Sequence, residues 1–395
     1  MIELKGKYNI AKVFTDNIEE TAIKQIIELC SQEFVKDSKI RIMSDTHAGA
    51  GCTIGTTMTI QDKIVPNLVG VDIGCGMYCV KLKEKEIDFQ QLDNIIRKYI
   101  PNGQNVRETE HKLSNNLHLK GLKCINHINY DRAMKSLGTL GGGNHFIEVN
   151  KDKEENLYLV IHSGSRYLGK QVAEYYQELG YKKLTENKGL REELISKLKS
   201  EGRERDIKSE LSKLPSLKIN RQLAYIEGDD LDDYLYDMKI TQEYAKLNRI
   251  VMATEILKNM QLHEKESFTT IHNYIDIESR ILRKGAISAN KAEKVIIPIN
   301  MKDGSIVAIG KGNEDWNYSA PHGAGRILSR SKAKEKVNLE DFKDSMSEVW
   351  TTSVCESTID ESPMVYKPMQ EIIDNTHDTV EILEVIKPLY NFKAN

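Results

Sequence analysis

Two side chains that bind metals stand three positions apart in Pro66-Asn67-Leu68-Val69-Gly70-Val71-Asp72-Ile73-Gly74-Cys75-Gly76-Met77: the Asp72 carboxylate and the Cys75 thiol. Glycines at 70, 74 and 76 leave the backbone almost bare around both, so a ligand can approach closely. An Asp and a Cys so placed can share one metal, or hold two with the sulfur between them. Read alone, the same stretch is equally a buried strand ending in a glycine turn, with Cys75 as a small core residue. The histidines decide between the two.

Four of the ten histidines share one context. His145 follows Gly141-Gly142-Gly143-Asn144, and His162 opens His162-Ser163-Gly164-Ser165-Arg166 after the apolar run 157–161. His272 ends Thr269-Thr270-Ile271 and precedes Asn273, while His322 sits in Pro321-His322-Gly323-Ala324-Gly325-Arg326. With Asp72 and Cys75 they make six potential ligands, enough for two metals with positions open to substrate. Imidazole and thiolate alone favour zinc or iron over manganese. The glycine-rich loops offer bare N–H groups of the kind that cradle phosphate. Asp45 and His47 stand where an apolar strand hands over to a glycine-rich loop, a usual place for site residues. Residue types alone therefore reach a two-metal enzyme acting on phosphate esters or anhydrides, with hydrolysis and transfer both open.

The elements that must position these groups are legible in outline. Alternating or apolar runs read as strands at 40–43, 53–60, 77–83, 146–149, 157–161 and 294–299. Helical spacing appears at 19–36, 87–99, near 367–375, and over 229–260, where Leu231, Tyr234, Met238, Tyr244 and Leu247 form a core-facing stripe. The stretch 181–213 is dense in charge and reads as a solvated helical arm, with RNA contact from Lys182, Lys183, Lys188, Arg191, Arg203 and Arg205 as the functional alternative. With 395 residues, 39% apolar and 29% charged, the chain has a soluble globular composition. No apolar run approaches a membrane span and no signal-peptide core opens the chain. The six cysteines lack paired spacing, so they read as reduced and the protein as cytoplasmic. A net charge of −3 argues against a generally basic nucleic-acid binder but leaves room for a local basic cleft.

Val69–Gly76, Gly141–Glu148, His162–Arg166 and His322–Arg326, in that order, resemble the motifs of the RtcB RNA-splicing ligases. The resemblance spans roughly 41–393 and is weakest in the arm at about 181–225. It implies an α+β fold in a single domain, 1–395, with stacked β-sheets around a central metal cleft and peripheral helices. It further implies an enzyme that joins RNA 3′-phosphate or 2′,3′-cyclic phosphate ends to 5′-hydroxyl ends, in RNA repair or tRNA splicing, using GTP and two Mn²⁺ ions. By the same resemblance Cys75 bridges the ions, Asp72 and His145 complete one, His162 and His272 complete the other, and His322 takes GMP as a covalent intermediate. The GMP/GTP pocket it implies comprises Asn144, His145, Phe146, Ile147, Glu148, His272, Asn273, Pro298, Ile299, Asn300, Met301, Ser305, His322, Gly323, Ala324, Gly325, Tyr366 and Lys393. Asp45, His47, Arg166 and Arg326 are the candidates for RNA or phosphate.

Three departures from the family pattern stand out. Pro298-Ile299-Asn300-Met301-Lys302 replaces a Pro-Gly-Ser-Met-Gly loop, Ala50 stands where the family carries Lys, and the chain ends Phe392-Lys393-Ala394-Asn395 rather than Val-Lys-Gly. They suggest a divergent paralogue, and they motivate two alternatives. One is a metal-dependent RNA cyclic phosphodiesterase or phosphatase that has lost guanylylation. The other is a catalytically silent RNA-binding protein, disfavoured because so many polar groups in one cleft are costly without metals.

Overall fold

The computed structural model describes residues 1–186, 188–213 and 219–394. The architecture is mixed α and β, as expected, with two main sheets and helices around them. The first sheet has six strands in the order Ile2–Lys5, Ile10–Val13, Ile40–His47, Ile54–Thr59, Ile281–Lys284, Asn273–Asp276. The second runs Glu264–Ile271, Gly76–Leu82, Leu157–Ser163, Phe146–Lys151, Val380–Phe392, Gly304–Gly310, Lys294–Asn300, with Trp350–Thr351 added parallel to Val380–Phe392. Glu264–Ile271 belongs to one sheet and Asn273–Asp276 to the other, so His272 is the single residue at the crossing between them.

Strand alternation sorts the second sheet into two faces. Val80, Leu82, Leu159, Ile161, Ile147, Val149, Tyr390 and Phe392 pack with Met252, Ala253 and Ile256 of the long helix Asp229–Met260. Residues one step out of phase, Met77, Phe146, Val160, Ile296 and Ile386, form a separate cluster on the opposite face. His162 and Glu148 share that second phase, which is why they emerge on the cleft side.

The Asp229–Met260 helix starts with Asp229, Asp230 and Asp232 in its first turn and ends on a left-handed Gln261, both favourable to the helix dipole and the terminal carbonyls. It is also the scaffold's main polar anchor. The buried Asp237 carboxylate accepts from Lys123 N (2.7 Å), Cys124 N (3.0 Å) and the Tyr176 hydroxyl (2.8 Å). Asn248 accepts from Gly138 N and Thr139 N, and donates to the carbonyls of Thr139 and Gly164. Arg249 donates to the carbonyls of Gly74 and Ser163, both at 2.7 Å. Two adjacent side chains thus tie the glycine loops beside Cys75, His145 and His162 to one rigid helix.

The segment 66–73 is not a strand. Pro66–Leu68 forms a single 3₁₀ turn, and the strand begins only at Gly76. In the arm, Arg166–Thr185, Lys188–Ser200 and Ile207–Lys213 are helical. Three of its cations are paired within the protein: Lys183 with Asp230, Lys182 with Glu186, and Arg203 with Glu201 and Asp206. The side chains of Lys188 and Arg191 lie outside the described residues. Among the described residues no helix is long and apolar enough to cross a membrane.

Because Asp237 satisfies three buried donors, Asp237→Ala should lower the unfolding free energy by roughly 3 kcal/mol or more. Lys183→Ala, at an exposed pair, should move it by less than about 0.5 kcal/mol. Urea titration of the two variants against the parent checks the contrast.

Candidate active site

Asp72, Cys75, His145, His162 and His272 converge on one point. Their ligand atoms form two overlapping groups, Asp72–Cys75–His145 and Cys75–His162–His272, each within 4.8 Å and sharing the cysteine sulfur. Cys75 Sγ lies 3.4 Å from His145 Nε2 and 3.3 Å from His162 Nε2, and His162 Nε2 lies 3.3 Å from His272 Nε2.

The protons of these rings are placed by their far sides. His162 Nδ1 donates to the Asn144 carbonyl (3.1 Å), and His145 Nδ1 to the Leu140 carbonyl (2.9 Å). The His162 ring then presents its Nε2 lone pair to the cluster. His145 Nε2 faces Asp72 Oδ2 at 2.9 Å, a hydrogen bond when the ring carries a proton there and two ligand atoms for one cation when it does not. That arrangement fits cations, and the donor set of three imidazoles, one thiolate and one carboxylate fits two of them with the sulfur shared.

The electrostatics agree. Burial, reinforced by neighbouring imidazoles, holds His162 and His272 well below the usual histidine range, so both are neutral and ready to ligate. Burial pushes the Asp72 carboxyl up, but His145 and Arg166 outweigh it and hold the group at about 2. Burial and the Asp72 charge push the Cys75 thiol well above its ordinary range, a cost that a bound divalent ion reverses.

Two glycines make the cluster sterically possible. A Cβ at Gly164 would stand 2.1 Å from Asp72 Oδ1, the oxygen that accepts from Ser165 N. Gly141 has φ +83°, and a Cβ there would fall 1.7 Å from the Arg166 guanidinium. Arg166 lies against Gly141 and within 3.1 Å of His145 Nδ1, so it supports the ligand from behind and does not line the cleft.

Beside the cluster opens a cavity of about 280 Å³, near the lower end of the roughly 300–1,000 Å³ typical of ligand pockets. Asp72, Cys75, His162 and His272 form part of its wall, together with His47, Asn144, Phe146, Glu148, Asn273, Pro298, Ile299, Asn300, Met301, His322, Gly323, Ala324, Gly325, Arg326, Tyr366 and Lys393. Ile147 and Ser305, which the resemblance placed in the guanylate pocket, stay out of the wall: Ile147 faces the long helix, and Ser305 is fully buried with its hydroxyl unpartnered. His145 acts at the cluster and likewise does not line the cavity.

His322 stands 4.8 Å, ring centre to ring centre, from His272. Asp45, a sequence candidate for phosphate contact, is fully buried beneath it and does not line the cavity. Its Oδ2 accepts from His322 Nδ1 (2.6 Å), His322 N (3.1 Å) and Gly323 N (3.3 Å). The strand-end position was legible, but burial makes Asp45 a partner of the histidine. With Nδ1 engaged, Nε2 is the free nitrogen.

Glu361 and Arg330, charged groups that sequence reasoning missed, also line the wall. Glu361 accepts from Lys393 Nζ (2.9 Å), the Tyr366 hydroxyl (2.8 Å) and Arg330 (2.7 Å), with Arg326 at 3.4 Å. No local motif marks Glu361, because its partners come from three separate stretches. In the changed loop, Asn300 Oδ1 caps the turn by accepting from Lys302 N and Asp303 N, both at 2.9 Å. Lys302 is exposed and outside the cavity wall, so the added cation points away from it.

The family model for the tRNA-splicing ligase RtcB matches residues 25–125 and 104–394. The chain belongs to the RtcB family. The RNA-splicing ligase RtcB of Escherichia coli K12 is 31% identical over 420 residues, covering 95% of this chain and 95% of the relative. The RNA-splicing ligase RtcB1 of E. coli ATCC 25922 matches equally, at 31% with the same coverage. The tRNA-splicing ligase RtcB of Methanococcus maripaludis is 26% identical over 461 residues, covering 98% of this chain and 94% of the relative.

Glu361 gives the site an acid limit. Burial pushes its carboxyl up, but Lys393, Arg330 and Arg326 outweigh this and hold it at about 2. A depressed carboxyl stabilises the fold above its unfolded value near 4.3 and loses that contribution as pH falls toward 2. Glu361→Gln should therefore cost about 3 kcal/mol at pH 6, with the gap to the parent shrinking steadily between pH 5 and pH 2. Denaturant unfolding of both proteins across that range reads it directly.

Proposed function

We propose that this RNA ligase joins RNA 3′-phosphate or 2′,3′-cyclic phosphate ends to 5′-hydroxyl ends at the expense of GTP, through a GMP adduct on His322. The observation that carries the reading is the Asp45–His322 pair beside the two overlapping groups of potential metal ligands that share Cys75. A neutral imidazole whose Nδ1 proton is held by a buried carboxylate directs the Nε2 lone pair outward, the arrangement needed for a nitrogen nucleophile. Attack on the α-phosphorus of GTP forms the N–P bond and releases pyrophosphate, and Asp45 stabilises the charge that develops on the ring.

Two Mn²⁺ ions held by Asp72, Cys75, His145, His162 and His272 would neutralise phosphate oxygens and activate water for opening a cyclic phosphate. Transfer of GMP from His322 to the RNA 3′-phosphate then creates an anhydride with GMP as leaving group. The 5′-hydroxyl attacks the RNA phosphorus, the phosphodiester forms, and GMP departs.

Around the nucleotide, Glu148 is the base reader. Phe146 and Tyr366 supply apolar walls, and Lys393, Arg326 and Arg330 supply the positive field of the cavity. Gly323–Gly325 and Asn144 offer small or amide-bearing surfaces close to the nucleophile. The phosphodiesterase alternative shares the cation cluster but leaves the Asp45–His322 geometry without a purpose, and therefore ranks second.

Incubation with Mn²⁺ and α-labelled GTP should leave label on the denatured protein, lost in His322→Ala. Asp45→Asn should slow labelling on the order of 100-fold or more while leaving metal binding intact. Absence of label on a folded, metal-loaded parent would replace the ligase reading with the phosphodiesterase.

A further inference from the structure

On the cleft face of the second sheet, three polar side chains sit together where apolar ones would be expected. Glu148 and Asn150 are two residues apart on Phe146–Lys151 and so share a face, and Asn391 is the direct cross-strand partner of Glu148. Glu148 is 3% exposed, and both asparagines are fully buried. Asn391 Nδ2 donates to Glu148 Oε1 at 2.6 Å, and Asn150 Nδ2 donates to Oε2 at 3.3 Å. The asparagine Oδ1 atoms have no partner. Two buried amides thus carry an unmet acceptor each while every donor contact is spent on one carboxylate. Of the three, only Glu148 reaches the cavity wall.

We propose that Asn150 and Asn391 are positioning residues that set which purine the pocket accepts. One amide donor on each carboxylate oxygen fixes the plane of Glu148 and leaves one lone pair per oxygen, side by side, facing the cavity. That pair of acceptors matches a base edge carrying a ring N–H next to an exocyclic amine, as in guanine. It repels a base whose ring nitrogen is itself an acceptor, as in adenine. Burial raises the Glu148 carboxyl to about 7, the two amide donors and Lys393 act against that shift, and the doubly accepting carboxylate prevails above that pH.

This inference rests on the reading that Glu148 meets the base of GTP. The test is labelling of His322 by GTP, inosine triphosphate and ATP in the parent, Asn391→Leu, Asn150→Leu and Glu148→Gln. Inosine triphosphate lacks the exocyclic amine and keeps only the ring N–H. In the parent, kcat/KM should fall from GTP to inosine triphosphate to ATP. Either Leu variant should compress the GTP-to-ATP ratio about tenfold, through KM, with kcat at saturation little changed. A loss shared equally by all three nucleotides in a folded Leu variant would mean that the asparagines merely support the sheet, and would overturn the proposal. So would a parent that labels but does not rank the nucleotides, or Glu148→Gln retaining the full preference. A parent that takes no label from GTP overturns the function above instead. Should Asn391→Leu fail to fold, Asn150→Leu and the parent's nucleotide ranking decide.

Discussion

Everything in this site depends on the crowding of potential ligand atoms around the Cys75 sulfur. His145 and His162 spend their Nδ1 protons on backbone carbonyls, and Asp72 Oδ2 lies 2.9 Å from His145 Nε2. Such a constellation is unfavourable in a buried setting by itself, since acceptors there need donors or cations. The fold accepts that penalty because three separate pieces converge and are pinned from behind: the 66–76 loop, the glycine loop before His145, and the strand end at His162. Asn248 and Arg249, neighbours on one long helix, do the pinning through backbone groups of Gly74, Thr139, Ser163 and Gly164. A ligand cluster held this way is organised before any ion arrives.

The same logic governs the rest of the cavity. Asp45 reaches His322 from a strand of the first sheet, while Glu148 and His162 belong to the second, so His322 and the candidate metal ligands are positioned by different sheets. His272, the residue between those sheets, touches both groups: its ring lies 5.1 Å from that of His162 and 4.8 Å from that of His322. Glu361 collects Lys393, Tyr366, Arg330 and Arg326 on one carboxylate, which keeps long, mobile side chains in fixed places along one wall.

Much of this was legible in the sequence because the residues announce themselves locally. Glycines beside Asp72, Cys75, His145, His162 and His322 signalled crowded backbone, and period-two patterns placed Phe146–Lys151 and Leu157–Ser163 as strands. The long helix was evident from its apolar stripe, yet the roles of Asn248 and Arg249 were not, since a polar residue inside a helix does not say which loop it will meet. Asp45 was singled out for its strand-end position, and only its burial revealed the bond to His322. Glu361 had no signal at all: its partners lie 32, 31 and 5 positions away, and no period links them. Segment 66–73 looked like a strand because its apolar residues are dense, but Pro66 and Gly70 favour the turn that forms.

The central claim is that two cations share the Cys75 sulfur. Equilibrium dialysis of the metal-free protein against Mn²⁺, followed by elemental analysis, tests it with Cys75→Ala as the comparison. The account predicts two ions per chain in the parent, and in the variant a loss of affinity on the order of 100-fold or more at both sites together. One ion per chain in the parent, or a variant that keeps one site at full strength, would contradict a shared sulfur.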